Sequence, residues 1–391
     1  MKQISATSTH LRPRGGEEQQ TTAVELLFDL VYVFAITQLS HLVIAHLDLT
    51  GTAQAVFLLW VVWWAWIYTT WMVNWFDPRS GKVRLVLIGC TLASLLMAAA
   101  IPTAFGGNAL LFAACYTALQ VGRNVASVSL LSRSHALRMV LERICVWSAL
   151  SGVLWIAGGL APASLRLAFW GPALLVDLAA PLLGYRTPGL GRAHTDDYPV
   201  EGGHFAERFQ SFVIIALGES IVVTGASAAA KGLGGLTIVA LGTAFLVSGG
   251  LWWLYFGEVA ENSRAHLRSA ADTGALARDA YTYLHLPIVA GIIMVAVGDD
   301  LLISSPDGAL SAAGMTMTVG GPALYLAGES LFRLRMIGSV SAKRALAIVL
   351  LALFGAAAGG LPALAVSVVV AALLGALAAW EYPTVQAPNP R

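Results

Sequence analysis

Residues 55–75 read AVFLLWVVWWAWIYTTWMVNW, a run of 21 side chains without a charge. A helix rises about 1.5 Å per residue, so such a run crosses the roughly 30 Å hydrocarbon core of a bilayer. The run predicts a transmembrane helix. Its six tryptophans lie on all sides of that helix, which predicts lipid-facing bulk and anchoring at the membrane interface. A wall of rings that stacks on a substrate is the alternative interpretation.

The composition of the whole chain agrees with this run. Of 391 residues, 57% are hydrophobic and 12% are charged, and the mean hydropathy is +0.73. A typical soluble domain is about one quarter charged. The 23 Lys and Arg residues nearly balance the 22 Asp and Glu residues, which leaves no basic surplus to neutralise phosphates. These values exclude a soluble globular enzyme, a disordered chain and a nucleic-acid-binding domain.

Apolar runs between charged or Pro/Gly-rich breaks predict an all-α, polytopic membrane protein of about twelve transmembrane helices. The predicted spans, numbered in chain order, are 23–47, 53–75, 83–105, 108–131, 139–160, 163–184, 204–227, 233–256, 280–301, 312–333, 343–360 and 362–381. Only a short Gly-Gly-Leu-Pro break separates the last two spans. One long kinked or re-entrant segment is therefore the alternative for residues 343–381.

The distribution of basic residues tests this count, because Lys and Arg prefer cytoplasmic loops. With the N-terminus inside, 20 of the 23 basic residues fall in inside segments, and only Arg166 and Lys231 fall outside. The remaining one, Arg123, lies within span 4. Both termini are therefore expected in the cytoplasm. The N-terminus lacks the features of a cleaved signal peptide, so the first span is expected to remain as an anchor.

The spans group into two halves of six. The predicted organisation is a cytoplasmic tail, a first half, a cytoplasmic linker, a second half and a second cytoplasmic tail: 1–22, 23–184, 185–203, 204–381 and 382–391. Both halves carry a Trp-Trp pair followed by Tyr, at Trp63-Trp64 and Trp252-Trp253. An even number of spans per half makes such a repeat parallel, as in many transporters. Chance similarity of apolar segments is the alternative.

Ionisable side chains inside spans are the candidate site residues, since each costs about 2.5–3.5 kcal/mol at mid-bilayer on insertion scales. Glu25 and Asp29 lie four residues apart and so share one face of span 1. The alternative is that the positive N-terminal end of that helix simply favours two carboxylates.

Span 7 carries three further candidates. Glu207 and Arg208 are expected to form a local charge pair at the cytoplasmic boundary. Glu219 lies about 22 Å along the helix from His204, between Gly218 and Ser220. Its depth indicates a functional carboxylate, and a buried structural hydrogen bond is the alternative.

Arg123 and Asp177 are candidates in the first half. Arg123 is the only basic residue well inside a span, and it is the expected counter-ion of Glu219 or Asp177. Asp177 lies between Pro172 and Pro181, which free backbone carbonyls within span 6.

His285 and Glu329 complete the candidate set. His285 lies near Tyr281 and Pro287 in span 9, and a structural role is its alternative. Glu329 in span 10 is followed at i+4 by Arg333, so an intrahelical ion pair is its alternative. The acids inside spans outnumber the single Arg123, which suits a proton- or cation-linked pathway.

Several catalytic signatures are missing. The sequence contains no GxxxxGK[ST], HExxH or GxSxG motif, so neither a cofactor nor ATP hydrolysis is expected, and no metal site is assigned. The cysteines lie in apolar runs without CxxC spacing, which indicates neither a disulfide framework nor a zinc site.

Three blocks resemble the bacterial low-temperature-requirement A (LtrA) family. They are ELLFDLVYVFAITQLSH at 25–41, HFAERF at 204–209 continuing into IIALGESI at 214–221, and YLHLP at 283–287 with Gly291 shortly after. The resemblance implies a multi-pass protein of the bacterial inner membrane, in a family named after a cold-growth phenotype. It also implies that Glu25, Asp29, Glu207, Arg208, Glu219 and His285 are motif positions, without assigning them roles.

The leading functional hypothesis is a proton- or cation-linked secondary transporter or channel that carries an unidentified small molecule or ion. Glu219 would bind the proton or cation, Arg123 would act as counter-ion or contact an anionic substrate, and His285 would relay protons. Glu25 and Asp29 would form a cytoplasmic gate. The alternatives are a membrane-embedded enzyme acting on a lipid or isoprenoid-like substrate and a structural or sensory protein in cold adaptation. The lipid bilayer is the expected partner, and no nucleic acid is.

Overall fold

The computed structural model describes residues 10–13, 19–270 and 272–386. Regular structure in these ranges is helical, with isolated β-bridges and no strand, so the predicted all-α class is confirmed. The α-helices of the described residues are α1 (Ala23–Ala45), α2 (Leu49–Trp75), α3 (Gly81–Ala100), α4 (Ala109–Thr117), α5 (Arg123–Ser129), α6 (Ala136–Leu160), α7 (Ala163–Leu182), α8 (Gly202–Lys231), α9 (Gly235–Leu254), α10 (Ala260–Ser269), α11 (Thr273–Leu276), α12 (Leu286–Ser304), α13 (Ala312–Met315), α14 (Gly321–Ile337), α15 (Ala342–Ala357) and α16 (Ala363–Gln386).

Each of the twelve predicted spans coincides with one of these helices or with helices joined in a continuous stretch. The joints are π-helical turns: Ala118–Gly122 links α4 to α5, Tyr255–Val259 links α9 to α10, Ala277–Tyr283 follows α11, and Thr316–Gly320 links α13 to α14. In the described residues, nine helical stretches are long and apolar enough to cross a membrane. The chain is a polytopic membrane protein, and the count of twelve crossings stays a prediction.

The last two predicted spans are separate helices. Residues 358–362 turn the chain between α15 and α16, and Gly360 adopts a left-handed conformation there, with φ of +85°. A left-handed residue without a Cβ ends a helix at little steric cost. The two helices pack against each other, so residues 343–381 form a helical hairpin rather than one kinked helix.

Two compact units make up the fold. The first unit comprises the described residues up to Gln38, Phe57–Arg208 and Ala270–Arg278, and the second comprises Leu39–Val56, Phe209–Ser269 and the described residues from Asp279 onward. The predicted division into tails, linker and two six-helix halves stays a prediction. The tail residues 1–9, 14–18 and 387–391 lie outside the described residues.

Helix α2 from Phe57 onward lies in the core of the first unit, and five of its six tryptophans are buried. Trp63, Trp64 and Trp66 expose at most 1% of their surface, and the rings of Trp63 and Trp66 stack with centroids 5.3 Å apart. The expectation that these tryptophans face lipid is wrong. Neighbouring helices enclose α2 on most sides, and the large indole rings fill the space between them.

The second unit is organised around the close packing of α12 against α14. Gly291 makes that approach possible, because a Cβ at this position would lie 2.7 Å from the backbone nitrogen of Tyr325. Small residues at a helix interface let two backbones approach closely in a membrane. Helix α9 packs against α16 on another side of the same unit.

Candidate functional site

The polar centre of the first unit is a set of buried charged side chains that we call the ion-pair cluster: Arg12, Glu25, Asp29, His204 and Arg208. Helix α1 places Glu25 and Asp29 one turn apart, and α8 places His204 and Arg208 one turn apart. All except Arg12 are fully buried, and Arg12 is 6% exposed. Two helices therefore face each other with two polar residues each.

Asp29 and Arg208 form the strongest pair of the cluster. Nη1 of Arg208 donates to Oδ2 of Asp29 at 2.5 Å, and Nη2 donates to Oδ1 at 2.6 Å. The indole nitrogen of Trp66 also donates to Oδ1, at 2.9 Å. Such a two-bonded guanidinium–carboxylate pair fixes geometry as well as charge.

Glu25 is held from three directions. Nη2 of Arg12 lies 3.0 Å from both carboxylate oxygens, and Nε2 of His204 lies 2.8 Å from Oε1. The backbone nitrogen and hydroxyl of Thr22 donate to Oε2 at 2.7 Å. Two carboxylates thus meet two guanidinium groups, and every carboxylate oxygen in the cluster is engaged. With His204 neutral, the formal charges of the cluster cancel.

The pairing also fixes the relative direction of α1 and α8 at this point. Glu25 pairs with His204 and Asp29 with Arg208, each across 179 positions. Moving one turn forward on α1 moves the partner one turn forward on α8, so the two helices run parallel. Parallel direction is what an odd number of membrane crossings between them requires, and the five predicted spans from 53–75 to 163–184 lie between them.

Glu207 lies outside the cluster, half-buried at the same end of α8. Its carboxylate accepts a hydrogen bond from the backbone nitrogen of Thr21 at 3.2 Å. The expectation of a Glu207–Arg208 charge pair is wrong, because both terminal nitrogens of Arg208 bind Asp29.

A second polar group in the first unit, which we call the Asp177 chain, links Asp177, Tyr116, Gln120, Arg123 and Thr69. The Asp177 carboxylate accepts from the hydroxyl of Tyr116 at 2.8 Å and from the indole of Trp155 at 3.0 Å. Nε2 of Gln120 donates to the same hydroxyl at 3.0 Å. The amide oxygen of Gln120 in turn accepts from Arg123.

Arg123 is almost fully buried, at 2% exposure. Its guanidinium donates to Gln120 and to the hydroxyl of Thr69, the latter at 3.1 Å, and lies 5.3 Å from the ring centroid of Tyr68. Among the described residues, Arg123 has no carboxylate within bonding distance, so it reaches Asp177 only through Gln120 and Tyr116. The π-helical turn Ala118–Gly122 lies directly before it, and such turns occur frequently at functional sites.

In the second unit Arg344 joins two acids. Nη1 of Arg344 lies 2.7 Å from Glu329, and Nη2 lies 2.8 Å from Glu381. Both pairs are buried. The sequence pointed to Glu329 but not to these partners, because Arg344 falls among basic residues at the predicted cytoplasmic boundary and Glu381 at the end of the last span.

His285 lies in a cage of aromatic rings in the second unit. Its ring stacks on Tyr281 with centroids 5.0 Å apart and meets Phe209 and Phe332 edge-on. The hydroxyl of Tyr255 lies 2.9 Å from Nε2. The site is fully buried, directly after the π-helical turn that ends at Tyr283.

Glu219 is buried on α8, at 2% exposure. The next residue, Ser220, contacts Ser248 of α9 through their hydroxyls at 2.9 Å. No three His, Cys, Asp or Glu side chains in the described part of the chain are placed to hold a metal ion together.

The comparisons with known proteins agree with the three motif blocks. The family model for the bacterial low temperature requirement A protein (LtrA) matches residues 20–379. An uncharacterized protein of Rhizobium meliloti (strain 1021) is 36% identical over 327 residues, which cover 83% of this chain and 80% of that protein. No solved structure matches the chain. This polytopic membrane protein belongs to the bacterial low temperature requirement A protein family.

Proposed function

We propose that the protein is a proton- or cation-linked secondary transporter or channel of the bacterial inner membrane, with both termini in the cytoplasm. In the first unit, Asp177 takes up and releases the proton. The observation that carries this proposal is the surroundings of Asp177: among the residues that the structure describes, this buried carboxyl in a membrane-spanning helix is bonded only to neutral donors.

A buried carboxylate without a cation is costly, because low-dielectric surroundings penalise its charge. Hydrogen bonds from Tyr116 and Trp155 offset part of that cost. Protonation removes the charge altogether, so Asp177 has two accessible charge states in the same place. Asp29 differs, because the guanidinium of Arg208 holds it in a balanced ion pair.

The Asp177 chain provides a physical route from proton to substrate. A change of charge at Asp177 alters the bond with Tyr116, which bonds Gln120, which bonds Arg123. Hydrogen bonds in series polarise one another. Arg123 is a buried cation without a bonded acid in the described residues, which suits contact with an anionic substrate.

In the second unit, Glu219, which the sequence predicts as the central proton- or cation-binding group, is proposed as a binding group beside Asp177. Its burial on α8 supports this role. Glu329 and His285 are part of the same proposal. Arg344 pairs with Glu329, and aromatic rings surround His285.

Infrared difference spectroscopy on the protein in liposomes tests Asp177 without knowledge of the substrate. We expect a carboxyl C=O band that appears and disappears with pH in the natural protein and is absent in Asp177→Asn. Glu142→Gln is the matched control, because it removes a half-exposed carboxyl that pairs with Arg138 at the helix surface. Proton flux under an imposed membrane potential, measured with a pH-sensitive dye inside the liposomes, tests whether the protein is a proton channel.

Two outcomes would contradict the proposal. One is an Asp177 band that does not titrate over the pH range in which the protein stays folded. The other is a titrating band together with proton-coupled transport that Asp177→Asn leaves unchanged. If Asp177→Asn does not fold, Tyr116→Phe keeps the carboxyl and removes only its link to Gln120 and Arg123.

A further inference from the structure

A large cavity opens in the first unit beside the segment that follows α7. Its volume is about 1180 Å³, and the described residues that line it lie between positions 182 and 198 and between 272 and 278, together with Trp147 of α6. Arg186, Arg192, His194 and Arg278 line it, and we call it the basic cavity. The sequence predicts residues 185–203 only as a cytoplasmic linker, whereas in the structure this segment forms a cavity wall.

Close backbone contacts and side-chain hydrogen bonds hold the wall of the basic cavity in a defined conformation. Gly184 has φ of +60°, and a Cβ there would lie 2.6 Å from the carbonyl oxygen of Ala193. Tyr185 is a non-glycine residue with φ of +51°, a conformation that persists only where the surroundings enforce it. The Tyr185 hydroxyl contacts that of Tyr68 at 3.0 Å, and Arg143 donates to the carbonyl of Leu190 at 2.9 Å.

The charge of the lining is positive. Among the described lining residues, three arginines accompany one acid, Asp272, so with His194 neutral their formal charge is 3 − 1 = +2. Asp272 is already engaged, because it accepts from the Thr195 hydroxyl at 3.0 Å and from the backbone nitrogen of Ala275 at 2.8 Å. Arg186 makes no hydrogen bond or ion pair with the described part of the chain, and Arg192 contacts His194 at 3.3 Å. The guanidinium groups of Arg186 and Arg192 are therefore available to an anion from outside the chain.

An apolar edge adjoins these charges. Leu182 and Leu183 at the end of α7 are exposed by 61% and 55%, and both line the basic cavity. A helix that ends in exposed leucines beside the guanidinium groups of Arg186 and Arg192 matches an amphiphile, with its acyl chains along the leucines and its anionic head at these two arginines. Basic pockets at the membrane surface bind phosphorylated lipid headgroups in this way.

We propose that the basic cavity binds the phosphate headgroup of an anionic phospholipid. Arg186 and Arg192 donate to the phosphate oxygens, and Leu182 and Leu183 contact the first part of the acyl chains. The site is distinct from the Asp177 chain, and the proposal does not depend on the transport function. Free inorganic phosphate shares the headgroup chemistry but lacks the apolar part, so the two ligands can be told apart.

The experiment is native mass spectrometry of the purified full chain with short-chain phosphatidic acid, phosphatidylcholine of the same chain length, or inorganic phosphate. We expect the natural protein to prefer phosphatidic acid, and Arg186→Gln/Arg192→Gln to bind it about tenfold or more weakly, because two charge-assisted bonds are lost. Lys82→Gln/Arg133→Gln is the matched control, since it removes two positive charges at exposed positions outside the cavity.

Three results would overturn the proposal. Equal loss of binding in both double variants would mean general charge attraction. Inorganic phosphate that binds as tightly as phosphatidic acid would mean a soluble anion rather than a lipid. Equal binding of phosphatidylcholine and phosphatidic acid would mean that the arginines do not select the anionic headgroup. Thermal unfolding of each variant in detergent, without added lipid, shows whether the fold is intact.

Discussion

Asp29 and Arg208 meet through two parallel hydrogen bonds of 2.6 and 2.5 Å, and neither side chain is exposed to solvent. The pair joins α1 to α8 across 179 positions of sequence. Together with Glu25 and His204 it holds two parallel helices in one register. The geometry is that of a structural ion pair, which fixes the position of α1 relative to α8. The gate role predicted for Glu25 and Asp29 stays a prediction.

Asp29→Asn should strongly destabilise the fold, because it leaves the buried guanidinium of Arg208 without its counter-charge. We expect a loss of about 3–5 kcal/mol of unfolding free energy, as for other broken buried pairs. Arg208→Lys should cost less, since it keeps the charge and loses the two-bonded geometry.

Thermal unfolding in detergent, followed by the loss of monodisperse protein, measures these changes in stability. Glu142→Gln is the control, because its ion pair with Arg138 lies at the helix surface and should contribute less than about 1 kcal/mol. Equal losses of stability in Asp29→Asn and Glu142→Gln would contradict the structural role of the Asp29–Arg208 pair.

Arg344→Gln should destabilise the second unit, because Glu329 and Glu381 then face each other without the cation that separates them. The expected loss is again about 3–5 kcal/mol. Adding Glu381→Gln to Arg344→Gln should recover part of it by removing one of the two charges. A double variant less stable than Arg344→Gln alone would show that charge balance is not what Arg344 supplies.

Tyr116→Phe should leave the Asp177 carboxyl in place and disconnect it from Gln120. The unpaired amide should cost about 1–3 kcal/mol of stability. If the Asp177 chain couples proton binding to substrate binding, the rate of proton-driven transport should fall by more than this loss of stability explains. Transport per folded molecule in proteoliposomes is the measurement, and an unchanged rate would remove Tyr116 from the coupling route.

Gly291→Ala should push α12 away from α14, because the new Cβ would lie 2.7 Å from the backbone nitrogen of Tyr325. Overpacking of this kind costs about 1–3 kcal/mol. Gly249→Ala in α9 is the matched control, since a Cβ there meets nothing within 4 Å and should stabilise the helix by roughly 0.5–1 kcal/mol. Opposite signs of the two shifts in melting temperature are expected, and a shift of the same sign in both would contradict the close-packing argument.

The helical architecture could be read from the sequence because the bilayer imposes it. An apolar run of about 20 residues has few alternatives to a membrane-spanning helix, since its backbone groups must be satisfied internally. The predicted spans accordingly coincide with helices, and the Gly-Gly-Leu-Pro break separates α15 from α16. Which sides of those helices face lipid could not be read in this way. Five of the six tryptophans of α2 are buried, because the packing of neighbouring helices decides which side chains are enclosed and hydrophobicity alone does not.

The sequence likewise singled out ionisable residues by the cost of burying them, including Glu25, Asp29, Arg123 and Asp177. It did not predict their partners. Spacing of i and i+4 reveals which residues share a face within one helix, but not which helix lies opposite.

By itself, then, the sequence determined the membrane class, the helices, the family and the charged residues that need an explanation. Only the tertiary structure decided that Asp29 is neutralised by Arg208, whereas Asp177 has only neutral partners in the described part of the chain. The reason is physical. The free-energy cost of burying a charged side chain depends on its type and on the apolar run around it, which the sequence shows. The stabilisation that offsets this cost depends on distances of about 3 Å between side chains that are far apart in sequence.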